Sequence, residues 1–249
     1  MMDWYRVAFG EVYPLVYARR DDAEAERAVA AYAPAFAGLA PVLDIACGGG
    51  RYTAAFGRNG VATVGVDLSE FLLVEAVERR ELGGRVVLGD MRCLPFKDGC
   101  AGGAVNMFTS FGYFEDEADN VRAIAEIGRV LRPGGRLLMD YLTAGSVGRL
   151  RTETTRRREG DVEIEERREC DAEGKFLTKH VRVIPRGGAE VAYRERVRLY
   201  APAELEAMLH AARLRVMALY GDYDAGEFDA QTSQRLVLLA EKREGATER

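Results

Sequence analysis

Between residues 40 and 143 the apolar positions of the chain alternate between two kinds of run. Short continuous stretches, VLDIA (42–46), ATVGVD (62–67), RVVLGD (85–90), AGGAVNMF (101–108) and RLLMDYL (136–142), have the length and make-up of strands buried on both faces. Between them lie RYTAAFGRNG (51–60), SEFLLVEAVERRELGG (69–84) and DEADNVRAIAEIGRVLRPGG (116–135), whose apolar residues recur at helical spacing. Ser69 is placed to cap the second helix, and the third is expected to end at Arg132, before Pro133 and the glycine pair Gly134–Gly135. Alternating β and α elements of this length predict right-handed crossovers and an α/β, doubly wound, mostly parallel sheet.

From about 150 to 200 the rhythm changes to period two. VEIEERRECD, KFLTKHVRVI and AEVAYRERVRLY predict three antiparallel strands turning at DAEGK (171–175) and PRGGAE (185–190). In the last of them Val191, Tyr193, Val197 and Leu199 share one face while Arg194, Arg196 and Arg198 share the other. A helix, PAELEAMLHAA (202–212), and two strands, LRVMALY (214–220) and QRLVLLAEK (234–242), follow, the strands read as a hairpin at the sheet edge. At the other end, residues 2–33 read as helical pieces. Pro14 interrupts the first, and Asp21 with Glu24 forms a capping box for the next. The expected division is a helical lid (1–35), a core (36–148), an antiparallel β insertion (149–200) and a C-terminal completion of the core (201–249).

Composition narrows the function. The chain has 249 residues, a hydrophobic fraction of 48% and a net charge of −5, enough for one large domain with an insertion and unlike a dedicated nucleic-acid binder. No stretch of 18 uncharged apolar residues predicts a membrane span, and MMDWYRVAFGEVYP does not read as a signal peptide. Cys47, Cys93, Cys100 and Cys170 lack CxxC spacing, and His180 and His210 lie far apart, so the expectation is reduced thiols, no metal and a cytoplasmic location.

The chemistry sits at strand ends. DIACGGG (44–50) drops from a buried strand into three glycines, where backbone approaches a ligand closely and a helix N-terminus follows. Asp67 ends the second strand, placed to accept ribose hydroxyls. Asp90 ends the third, placed to accept from an adenine amino group. The GxGxxG pattern of dinucleotide sites fails at its third glycine, where Thr53 stands. Asp44 adds negative charge beside the turn, which favours a cationic nucleoside over a pyrophosphate.

DIACGGG, VGVD (64–67), GDM (89–91) and LRPGG (131–135) resemble, in order and spacing over residues 40–143, the motif series of class I S-adenosylmethionine-dependent methyltransferases. The resemblance implies a seven-stranded Rossmann-like sheet with an antiparallel last strand. It also implies S-adenosyl-L-methionine as methyl donor and S-adenosyl-L-homocysteine as product. By resemblance, the backbone at Ala46, Gly48 and Gly50, with Asp44 nearby, holds the methionyl part. Asp67 takes the ribose, Leu68 packs on the adenine, and Asp90 and Met91 edge it. NMFTSFGYF (106–114) lines the methyl-transfer face, with Asn106, Met107, Thr109, Ser110 and Tyr113 among its contributors. VYPLVYARRDDAEAE resembles the leading helices of small-molecule members such as glycine N-methyltransferase-like enzymes. There an aromatic hydroxyl and an arginine reach the donor carboxylate, for which Tyr13, Tyr17, Arg19 and Arg20 are the matching candidates. One departure is Ala211-Ala212-Arg213 where many relatives carry a glycine before the sixth strand.

Displacement at a sulfonium needs alignment and exclusion of water more than a dedicated catalytic group. If a base serves, the candidates are Tyr113, Tyr141, His180 and Tyr193. No (D/N)PP(Y/F) follows the fourth strand, since Asn106 precedes Met-Phe-Thr, which argues against nucleobase amines in DNA; small size and acidic balance favour a small-molecule acceptor, expected to offer an N or O nucleophile. The insertion is expected to cap that acceptor or to make a homodimer contact. Two alternatives stay open at this point: a non-catalytic protein that binds the donor or its product, and an aminopropyltransferase on the same fold.

Overall fold

The computed structural model describes residues 4–20, 22–142, 147 and 154–244. Its core is a seven-stranded sheet. In chain order the strands are β1 (Val42–Ile45), β2 (Thr63–Asp67), β3 (Val86–Leu88), β4 (Ala101–Asn106), β5 (Leu131–Leu142), β10 (Leu214–Tyr220) and β11 (Arg235–Lys242), in spatial order β10-β11-β5-β4-β1-β2-β3. β3, β2, β1, β4 and β5 run parallel; β11 is antiparallel to β5, and β10 to β11. This is a Rossmann-like methyltransferase sheet, its order reversing between β1 and β4, where the ends of neighbouring strands open a crevice.

Alternation along each strand divides the core between two layers. Leu43, Ile45, Leu137 and Met139 pack with Ile124 and Ile127 of α6 (Glu117–Val130) and with Leu205 and Leu209 of α7 (Pro202–Ala211). Val42, Val105 and Leu138 face Tyr32 and Phe36 beside α3 (Asp22–Tyr32), and Phe56 of α4 (Arg51–Arg58). α5 (Glu70–Arg80) opens on Ser69, whose hydroxyl accepts from the Leu72 amide at 3.2 Å and donates to the Phe9 carbonyl at 2.7 Å. Replacing Ser69 by alanine removes that cap and is expected to lower stability by about 1 kcal/mol, read as a shift of the urea midpoint.

α6 stops at Val130, two residues before the expected end, because the chain is already extended at Leu131 (φ −77°, ψ 129°). The residue before a proline avoids helical angles, so Arg132 joins β5 instead. Pro14 sits in the first turn of α2 (Tyr13–Val16), where its missing N–H costs nothing, and so begins a helix instead of interrupting one. Asp21, half of the expected capping box, lies outside the described residues.

The insertion is a separate sheet of four strands, not three: β6 (Thr154–Glu159), β7 (Val162–Cys170), β8 (Phe176–Pro185) and β9 (Val191–Arg198), antiparallel throughout. β6 reads TTRRRE and carries no alternation of apolar and polar residues to announce it. One face of this sheet packs Ile164, Val181 and Val183 onto Val12, Val16 and Tyr17 of the N-terminal segment. Among the described residues no helix is long and apolar enough to cross a membrane.

Candidate donor-binding and methyl-transfer site

At the carboxyl ends of β1, β2 and β4 lies a cavity of ≈ 280 Å³. Its floor is the turn after β1. Ala46 (φ 59°) and Gly48 (φ 53°) take left-handed conformations that bring main chain to the cavity wall. Asp67 crosses from β2 to tie this turn down, accepting from the Gly48 amide at 2.7 Å and the Ser69 amide at 2.8 Å. Gly48 and Ser69 use one position on each oxygen, and a carboxylate has about four, so the group keeps acceptor capacity at the cavity it lines. Burial raises the Asp67 pKa, against the stabilising pull of the Ser69, Gly48 and Leu68 amides.

Asp44 plays a different part. It is 1% exposed and accepts from the Thr53 hydroxyl at 2.6 Å, joining β1 to α4 beneath the turn without bordering the cavity. Burial pushes its pKa up to about 6 from 3.8, opposed by the Thr53 hydrogen bonds. The folded chain therefore holds this proton more tightly than the unfolded chain, and stability falls as pH rises from about 4 to about 6. Asp44→Asn is expected to flatten that part of the stability–pH curve, as thermal unfolding across the window would register. Gly50 (φ 76°) begins α4 facing inward, where a Cβ would lie 2.4 Å from Leu82 Cδ1; its role is close packing of helix on helix.

The next wall is Leu68 from the end of β2, with Gly89, Asp90 and Met91 beyond β3. The Asp90 carboxylate is gripped by Arg92, with Nη2 at 2.6 Å, and Arg92 reaches Asp119 at 2.7 Å. The turn after β4 closes the far side through Phe108, Ser110 and Tyr113. Phe108 (φ 60°) and Thr109 (φ 57°) are consecutive left-handed residues, a strained arrangement that surroundings must enforce. Asp140, fully buried in β5, does so: its carboxylate accepts from the Phe108 amide at 2.8 Å and its carbonyl from the Thr109 amide at 3.1 Å. The same carboxylate accepts from the Tyr223 hydroxyl at 2.6 Å and from Arg235, which also donates to the Thr109 hydroxyl at 2.9 Å.

A chain of rings forms the roof. Tyr5 and Phe9 come from and just after α1 (Trp4–Ala8), and Tyr13 from α2. Phe9 packs on Tyr13 and Tyr113 with centroids 5.4 and 5.6 Å apart, and Tyr13 on Tyr17 at 4.6 Å. Tyr17 meets Phe108 edge-on at 5.7 Å. Rings of this kind present negative faces and suit a cationic ligand.

Of the residues read from sequence, Tyr13, Ala46, Gly48, Asp67, Leu68, Asp90, Met91, Ser110 and Tyr113 border the cavity. Tyr17 stands behind Tyr13. Arg20 pairs with Glu24 at 2.6 Å, lies over the Phe108 ring and lines a neighbouring groove; Arg19 is exposed beside Glu159. Asn106 donates to the Ile45 carbonyl at 2.9 Å, tying β4 to β1, and Met107 is buried. Tyr141 donates to the Arg198 carbonyl in the core, and His180 faces solvent, 3.0 Å from Glu169. Burial drives the hydroxyl pKa of Tyr113, Tyr141 and Tyr193 upward, so none is ionised at neutral pH. Sequence reading passed over Tyr5 and Phe9, although their place at the front of an aromatic-rich leading segment was a usable signal. It also passed over Asp140, a carboxylate inside an otherwise apolar strand run.

A left-handed turn after β1, acids at the ends of the next two strands and the order β10-β11-β5-β4-β1-β2-β3 define a class I methyltransferase architecture. Residues 42–135 match the family described as "Methyltransferase domain". The chain superposes on the CcbJ methyltransferase from Streptomyces caelestis with a TM-score of 0.78 and 26% identity, covering 96% of this chain and 99% of that one. On an S-adenosylmethionine-dependent methyltransferase from Clostridium acetobutylicum the values are 0.77, 18%, 94% and 96%. A dTDP-3-amino-3,4,6-trideoxy-alpha-D-glucopyranose N,N-dimethyltransferase from Streptomyces venezuelae is 33% identical over 143 residues, 55% of this chain and 58% of that protein. The chain spans between 28% and 58% of the length of the curated relatives it matches. Its similarity over residues 42–135, and in fold over nearly the whole chain, is to S-adenosylmethionine-dependent methyltransferases.

Proposed function

We propose that this chain is an enzyme that transfers the methyl group of S-adenosyl-L-methionine to a nitrogen or oxygen nucleophile on a small-molecule acceptor, by in-line displacement. The observation that carries the reading is the tie between Asp67 and the Gly48 amide, which fixes the left-handed turn and a ribose-accepting carboxylate at one edge of a cavity roofed with aromatic rings. When bound, the donor supplies an electrophilic methyl on a positively charged sulfur. The residues present suit it. Main chain at Ala46 and Gly48 would hold the methionyl end, Asp67 the ribose, and Leu68, Asp90 and Met91 the adenine. Phe9, Tyr13, Phe108 and Tyr113 would exclude water around the reacting centre, the chief service such a displacement asks of its protein.

The N-terminal helices act in this reading as a lid, the second sheet as the acceptor's cap, and residues 201–249 as the completion of the core. Similarity to a nucleotide-sugar N,N-dimethyltransferase favours a polar, sugar-like acceptor. The four free cysteines suit a reducing cytoplasm. Calorimetric titration with S-adenosylmethionine and S-adenosylhomocysteine, followed by assays of methyl release on pooled small metabolites, tests the proposal. Donor binding with turnover supports it. Absence of donor binding overturns it, and donor binding without turnover on any pool would make the chain a sensor.

A further inference from the structure

The inner face of the second sheet carries charge where its alternation calls for apolar residues. Glu166, Lys179 and Glu195 are 7%, 7% and 9% exposed, and Arg157 reaches in from β6. Most of this charge is satisfied internally. Lys179 Nζ lies 2.8 Å from Glu166 Oε1 and 3.4 Å from Glu195 Oε2, and donates to the Tyr17 hydroxyl at 2.9 Å. Tyr17 in turn donates to Glu195 Oε2 at 2.7 Å, and Arg157 to Glu166 Oε2 at 2.6 Å.

Three atoms of the cluster make no hydrogen bond: Arg157 Nε, which lies 3.6 Å from Glu159 Oε1, and two on β9. Glu195 Oε1 and the Tyr193 hydroxyl are both buried without a hydrogen-bond partner, two residues apart on the same face of β9. Leaving a carboxylate oxygen buried and undonated costs about 1–3 kcal/mol or more, so such an atom in a folded protein calls for an explanation. A carboxylate only accepts, whereas a tyrosine hydroxyl both donates and accepts. The missing group must therefore bring hydrogen-bond donors. The cavity is bordered on this side by Tyr13 and Tyr113. Tyr17, which donates to Glu195, packs on Tyr13 with ring centroids 4.6 Å apart, so one ring separates the Glu195 carboxylate from a cavity-lining side chain. A carboxylate among tyrosine rings has the chemistry that recognises an ammonium group.

We infer that Glu195 Oε1 and the Tyr193 hydroxyl form the anchoring site for a protonated amine of the methyl acceptor, entered past Tyr13 and Tyr113. The inference rests on the methyl-transfer reading and sharpens it: the acceptor is an amine-bearing polar molecule, held by the second sheet while the donor is held by the first. Glu195 binds and orients the amine, and Lys179 and Tyr17 hold the carboxylate in place from its other oxygen.

The test compares the wild type with Glu195→Gln and Tyr193→Phe, using matched probes: amino sugars against their parent sugars, and amino alcohols against the corresponding diols. Release of S-adenosylhomocysteine is followed with each probe, while donor affinity and the thermal midpoint are measured on the same preparations. Turnover is expected with an amine and not with its hydroxyl counterpart. Glu195→Gln is expected to lower kcat/KM for that amine about 100-fold, and Tyr193→Phe about 10-fold, the loss due when a buried charged contact or a neutral hydrogen bond is removed. Donor affinity should stay within about twofold. Turnover of a probe without an amine, silence of every amine while the donor binds, or an unchanged kcat/KM in Glu195→Gln would each overturn the inference; the last would mean that a buried water fills the gap. A chain that binds no donor overturns the methyl-transfer reading first, and this inference with it.

Discussion

Asp67→Ala is expected to weaken S-adenosylmethionine binding by about 1–3 kcal/mol, a drop of about 5- to 150-fold in affinity. The carboxylate has two tasks in one place. It holds the Gly48 and Ser69 amides, and so the conformation of the turn, and it lines the cavity with acceptor capacity to spare. Alanine removes both, leaving two amides without their acceptor beside a ligand that has lost its ribose contact. Asp67→Asn separates the tasks, since its amide oxygen still accepts one bond, and it should fall between wild type and alanine. Calorimetric titration reads both. Wild-type affinity in the alanine variant would remove Asp67 from the site.

The largest loss of stability is expected from Asp140→Ala, about 3–5 kcal/mol, as befits breaking a buried ion pair from one side. Arg235 would keep its charge with its side chain only 14% exposed and its counter-ion gone. The Tyr223 hydroxyl and the Phe108 amide would lose their acceptor as well. Because Phe108 and Thr109 are held left-handed by this residue, the damage should reach the cavity wall, and donor affinity should fall together with stability. Urea unfolding followed by circular dichroism measures the first effect and titration of whatever remains folded the second. A stability change below about 1 kcal/mol would show that the network does not hold the turn.

Both residues bear on how much the sequence discloses. The sheet was legible because its strands are continuous apolar runs of the right length, two of them closing on a carboxylate, Asp67 and Asp90. The hairpin of β10 and β11 was legible for the same reason, its strands having clear edges. β6 was not, since TTRRRE has no apolar face and is a strand only because β7 pairs with it over its full length. The end of α6 was misplaced by the two residues in which the proline rule acts backward along the chain.

In the site, motif-bearing residues such as Gly48, Asp67 and Met91 could be named from local pattern alone. Asp140, Lys179 and Glu195 could not be given partners that way, because what each one touches is set by long-range packing. Asp140 meets Arg235 and Tyr223, and Glu195 meets Tyr17, across 95, 83 and 178 residues of chain. Alternation nevertheless held a clue that went unread: Glu195 shares a strand face with Val191, Tyr193 and Val197, and a lone charge on an apolar face marks either a buried network or a site.

The account stands on a nucleoside sulfonium lying across the strand tips with its ribose on Asp67. A crystal structure of the chain with S-adenosylhomocysteine tests this most directly. The account predicts both ribose hydroxyls within hydrogen-bond distance of the Asp67 carboxylate and the homocysteine end against the Ala46–Gly48 main chain, beneath Phe9 and Tyr13. Product found elsewhere, or a crevice left empty at saturating concentration, would contradict it.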